Sequence, residues 1–89
     1  MKVNKKYIFR KVAKEQLLIP TGEVALKIKG LVAMSESAGM LYRMMQNGCT
    51  QNDLVAALKA EYDVPLAVAQ QDVEAFLEQM RQLEMLGED

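Results

Sequence analysis

The sequence predicts an α+β fold, in which a three-stranded antiparallel sheet is followed by three helices in the order βββααα, with the helices gathered on one sheet face. Two patterns point to it. Residues 7–34 are rich in β-forming side chains and broken by Pro20, Gly22 and Gly30, whereas the chain after Ser35 spaces its apolar residues three and four apart. Length sets the scale: 89 residues, 51% hydrophobic and 26% charged, predict one globular domain over residues 1–89. A domain of this size leaves little room for a deep catalytic pocket between lobes.

"YIFRKVA" and "QLLIP" read as the first two strands. "VALKIK" alternates, with Val24, Leu26 and Ile28 on one face and Ala25, Lys27 and Lys29 on the other, and reads as the next. Thr21-Gly22 supplies a turn and Gly30 a bend or bulge. "LVAM", residues 31–34, either continues that strand or forms a separate one.

Ser35 suits a helix N-cap, because its hydroxyl can accept from the free N–H groups of the first turn, and Glu36 suits the positive helix end. This first helix should bury Ala38, Leu41, Tyr42 and Met45 and stop near Asn47-Gly48. Thr50 and Asp53 stand at capping-box spacing and should start a second helix burying Leu54, Val55, Leu58 and Tyr62. Asp63 to Pro65 is the next break, with Pro65 tolerated in a first turn. In the last helix Leu66, Ala69, Val73, Phe76, Met80 and Leu83 recur at three and four, and Leu77 widens the stripe. Such a seam most simply packs on its own domain. No internal repeat or low-complexity segment occurs.

The net charge of −1 conceals a division. Residues 1–29 hold eight lysines and arginines against two glutamates, and residues 30–89 hold three against ten acids. A field with a direction can steer a charged partner; the plainer alternative is a solvated basic arm. The basic N-terminus lacks the apolar core of a secretory signal, and no apolar run is long enough to span a bilayer. One cysteine, Cys49, excludes an internal disulfide framework and reads as a small, partly buried residue. These features favour the cytoplasm and no membrane partner.

Chemistry is sparse. There is no histidine, the commonest general base and metal ligand, and a lone cysteine builds no zinc site. Neither a GxGxxG nor a P-loop pattern occurs, so no cofactor is expected. Ser35 and Ser37 have no histidine to activate them and read as capping residues. The expectation is therefore no catalytic residue, no metal and no enzyme. Three helices with a small sheet could also form a winged helix-turn-helix that binds DNA. A recognition helix needs basic and amide side chains, however, and the last helix carries Arg81 alone against Asp72, Glu74, Glu78 and Glu84. Regulation by DNA binding stands as the alternative, and no nucleic acid is the expectation.

A three-stranded meander has two free edges. The first strand and its flanks carry Lys5, Lys6, Arg10, Lys11 and Lys14, and lysines discourage strand pairing. Leu31, Val32, Ala33 and Met34 have no charge and no proline. Such an edge invites an extended peptide to add as a further strand, with Val73, Phe76, Leu77 and Met80 of the last helix as a second wall. The competing reading makes the same residues plain core.

The segment from "GLVAMSESAGMLYRMM" to "DVEAFLEQM" resembles the PqqD family. The family pattern of a strand ending Leu-Asn-Glu-Thr-Ala stands here as Met34-Ser35-Glu36-Ser37-Ala38. Gly48, the Thr50-headed helix closing on Glu61-Tyr62-Asp63-Val64, and Asp72-Val73 with Phe76-Leu77 follow in the family's order. Pro65 and Met85 depart from it. The resemblance spans roughly residues 7 to 86. It implies a winged-helix-like RiPP recognition element: a non-catalytic module that binds the leader of a ribosomally made precursor peptide as a strand beside the third β-strand and against the last helix. It would present that peptide to a modifying enzyme, often a radical S-adenosylmethionine enzyme. Carried over by position, the peptide-binding residues are Leu31, Val32, Ala33, Met34, Asp72, Val73, Phe76 and Leu77, with Met80 added by extension of the stripe.

Overall fold

The computed structural model describes residues 3, 7–27 and 30–84. Strands β1 (Tyr7–Val12) and β2 (Glu15–Pro20) form an antiparallel hairpin, and its register pairs Val12 with Glu15 and Tyr7 with Pro20. The two-residue connection is Ala13-Lys14, where Ala13 takes φ 55°, the left-handed conformation that tight hairpin turns demand. Strand β3 (Val32–Met34) pairs antiparallel with β2, placing Met34 opposite Gln16, Ala33 opposite Leu17 and Val32 opposite Leu18. The order β1-β2-β3 makes β3 an edge strand.

Between β2 and β3 the structure corrects one expectation. Residues Gly22–Lys27 are a short helix, α1, rather than the third strand. Val24 is buried and Leu26 is 81% exposed, although a strand would have put both on one face. Glu23, Ala25, Leu26 and Lys27 all favour a helix over a strand, and six residues are too few for period two to decide. Ile28 and Lys29, the rest of that expected strand, lie outside the described residues. The third strand is thus the separate "LVAM" segment, and among the described elements the order is β1-β2-α1-β3-α2-α3-α4.

Helix α2 (Glu36–Gln46) begins where predicted: Ser35 is its N-cap, and its hydroxyl accepts from the Ala38 N–H at 3.2 Å. It stops at Asn47, and Gly48 follows at φ 85°. Helix α3 (Gln51–Tyr62) opens on a complete capping box, with the Asp53 N–H donating to Thr50 Oγ1 at 3.1 Å and the Thr50 N–H donating to Asp53 Oδ2 at 2.9 Å. Asp63 ends it in the left-handed conformation, φ 50°. Pro65 is the N-cap of α4 (Leu66–Gln82) and gives it no side-chain cap.

The core lies where α2, α3 and α4 cover the sheet. Leu18 from β2, Leu41, Tyr42 and Met45 from α2, Leu54 from α3 and Val73, Leu77 and Met80 from α4 are its largest fully buried members. Phe9 of β1 stacks on Tyr42 with ring centroids 5.3 Å apart, and the Tyr7 hydroxyl donates to the Leu83 carbonyl at 2.7 Å, tying β1 to the end of α4. Four expected core positions differ. Tyr62 and Leu66 are exposed at the α3–α4 break, and Ala38 and Leu83 are half-buried. Among the described residues no helix is long and apolar enough to cross a membrane.

Candidate functional site

Ser35 joins two surfaces. Before it runs the β3 edge; after it, the first turn of α2 lies across from α4. Ser35, Ser37, Ala38 and Leu41 form one side of an open cleft of about 310 Å³. Asp72, Ala75, Phe76 and Gln79 of α4 form the other, with Leu58 of α3 also lining it. The α4 residues follow helical spacing, so one stripe of that helix faces the cleft. The cleft continues past Ser35, Ser37, Leu58 and Asp72 to Glu36, Tyr62 and Val64. Ser35 Oγ and Ser37 Oγ lie 3.3 Å apart at its rim.

Hydrogen-bond direction along β3 follows from the hairpin. A two-residue turn closes between the residues flanking it, here Val12 and Glu15. Backbone groups then alternate along β2, so Gln16 and Leu18 direct theirs towards β3. Val32 and Met34 therefore face β2, and Ala33 turns its N–H and C=O outward. One residue of the strand thus presents both a donor and an acceptor for a further strand.

The residues expected at this site divide into three groups. Leu31 (59% exposed) and Ala33 are open to solvent, Val32 is half-buried, and Met34 is buried. Asp72 is exposed and Phe76 is buried, and both line the cleft. Val73, Leu77 and Met80 are 1% exposed or less and lie in the core behind it. Pattern reading omitted Ser37, Ala75 and Gln79, which flank the apolar stripe, and Tyr62 and Val64 at the far end. The helical register one step to the side of Val73 and Phe76 was the available signal.

The cleft's ionisable groups are acidic. Glu36 and Asp72 line it, and among the described residues neither makes an ion pair. Local desolvation, then the Glu36 and Glu61 carboxylates, raise the Tyr62 pKa, and Arg43 opposes them. Burial raises the Cys49 thiol above its ordinary value, which suppresses the reactive thiolate. Among the described residues no group of histidine, cysteine and carboxylate side chains could hold a metal ion. Main-chain groups at an edge and a cleft for side chains are what this surface offers.

The family model for coenzyme PQQ synthesis protein D (PqqD) matches residues 22–86. A solved structure described as TbiB1 in complex with the TbiA(beta) leader peptide is similar over 100% of this chain and 99% of that one, with a TM-score of 0.79 and 19% sequence identity. At that identity the likeness establishes the fold. No curated protein matches the chain.

Proposed function

The chain belongs to the PqqD family, and from that premise we propose that it is a RiPP recognition element which captures the leader of a ribosomally made precursor peptide by strand addition. One observation carries the reading: β3 is an edge strand that leads directly into a cleft walled by α2 and α4. A peptide added at β3 would pair its main chain with Ala33 and direct alternate side chains into the cleft. The leader peptide bound to TbiB1, a protein of the same fold, supports this assignment.

In this arrangement Leu31 to Met34 form the docking edge, and Asp72, Ala75, Phe76 and Gln79 line the cleft wall. Val73, Leu77 and Met80 act from behind, holding α4 at its distance from the sheet. The whole chain serves as one non-catalytic cytoplasmic domain. The chemistry on the peptide falls to a separate modifying enzyme, for which a radical S-adenosylmethionine enzyme is the family precedent.

A displayed library of random linear 15-residue peptides tests the reading. Selected peptides should bind with saturable affinity and shift the amide resonances of residues 31–34 and 72–79. Failure to select any binder, or binders that map only to other faces, would overturn it.

A further inference from the structure

The cleft is apolar at its floor and acidic at one end. Leu41, Leu58 and Phe76 are each 5% exposed or less and line the part between α2 and α4. Glu36, Tyr62 and Asp72 come together in the part beside the α3–α4 break, where Tyr62 is 39% exposed. Among the described residues no lysine or arginine lines either part. Arg43 weighs on Tyr62 from the opposite flank of α2, against the Glu36 and Glu61 carboxylates. Two carboxylates without an ion-pair partner, beside an exposed aromatic ring, attract a positive side chain and repel an acidic one.

Packing fixes this end in place. Gly39 of α2 lies so close to the Gln16 amide, itself 3% exposed, that a Cβ at position 39 would fall inside it. Gln16 pairs with Met34, so the contact sets the start of α2, with Ser35 and Glu36, against the end of β3. Helix α4 then runs back beside the strand. Asp72 shares the cleft with Ser35 at the end of β3, and Leu83 accepts from Tyr7 at the opposite end of the sheet.

The spacing of a fitting peptide follows from these two elements. In a strand added at β3, the residue paired with Ala33 points to the outer face, and its two neighbours point to the helices with Val32 and Met34. Those neighbours stand about 6.6 Å apart along the strand. Asp72 and Phe76, four residues apart on α4, stand about 6 Å apart along the helix. The two rises match, so one inward side chain can meet Asp72 while the other meets Phe76.

We infer that the peptide taken here carries a lysine or arginine at the inward position beside Met34 and an apolar residue two positions along. The cation meets Asp72, Glu36 and the Tyr62 ring, and the apolar side chain enters between Leu41, Leu58 and Phe76. This deepens the peptide-binding reading and rests on it.

The test uses the peptides selected from the displayed 15-residue library, compared with the unselected pool. Binders that shift residues 31–34 and 72–79 should be enriched in a lysine or arginine two positions from an apolar residue. One such binder with an acetylated N-terminus, and its copy with norleucine in place of the cation, should differ about fivefold in Kd at low ionic strength. The difference should vanish in the Asp72→Asn, Glu36→Gln double variant, whose substitutions lie at exposed positions. It should persist in Glu74→Gln, on α4 outside the cleft. Cleft-binding peptides without the cation, a double variant that still discriminates, or equal loss in Glu74→Gln would overturn the inference and leave the peptide-binding reading standing. Failure to select any binder would overturn both.

Discussion

Two proline substitutions one residue apart separate binding from folding at β3. Ala33 directs its N–H away from β2, so Ala33→Pro removes a donor that nothing within the sheet uses. Its side chain is exposed, and an edge strand tolerates proline on its solvent side. The variant should melt close to the parent. An added strand would lose one hydrogen bond, worth about 0.5–1.5 kcal/mol net, which is about a two- to tenfold rise in Kd. Val32→Pro instead removes an N–H directed at Leu18, in a ladder of only three residue pairs. Losing that bond and leaving a buried acceptor costs about 1–3 kcal/mol, or roughly 4 °C or more in Tm for a chain this size. Thermal melts and calorimetric titration with one library-selected peptide read both effects. The reasoning fails if Ala33→Pro melts far below the parent, or if it binds the peptide with unchanged affinity while remaining folded.

Gly39→Ala should destabilise the protein despite the helix-favouring methyl, because overpacking against Gln16 costs about 1–3 kcal/mol against a gain of about 1; denaturant titration of the Gln16→Ala, Gly39→Ala double variant should show the loss recovered. Thr50→Ala should cost about 0.5–2 kcal/mol of stability by deleting the α3 cap. Hydrogen bonds from Thr50 hold the Asp53 carboxyl below its ordinary value of 3.8. The stability linked to Asp53 is therefore present above pH 3.8 and lost as pH falls through the lower folded value, and melts across this range should show a weaker acid dependence in Thr50→Ala. Fluorescence titration with duplex DNA at moderate salt should show no sequence preference, since Asp72, Glu74 and Glu78 on α4 repel phosphate.

Local chemistry determined the helical half of this protein. Ser35, the Thr50–Asp53 box, Asn47-Gly48 and the spacing of Ala69, Val73, Phe76 and Met80 each act within a turn or two of chain, so the boundaries of α2, α3 and α4 and the middle of their inner faces were legible without any tertiary contact. Ala38, Tyr62, Leu66 and Leu83 near the helix ends were not. The uncharged run at residues 31–34 likewise marked an edge, because the absence of protecting charge is itself a sequence property. The segment 22–27 was not legible: its alternation suits a strand, its propensities suit a helix, and packing of Val24 alone resolved the two. Nor could pattern divide the α4 stripe, since burying Val73 and Met80 while leaving Asp72 and Gln79 at a cleft depends on where α2 and the sheet stop. Gln16 shows the limit most plainly. A glutamine in a strand carries no sign of burial, and only the approach of Gly39, more than twenty residues away, places its amide against α2. Periodicity reports which face of an element is apolar; what that face meets is decided by the other elements.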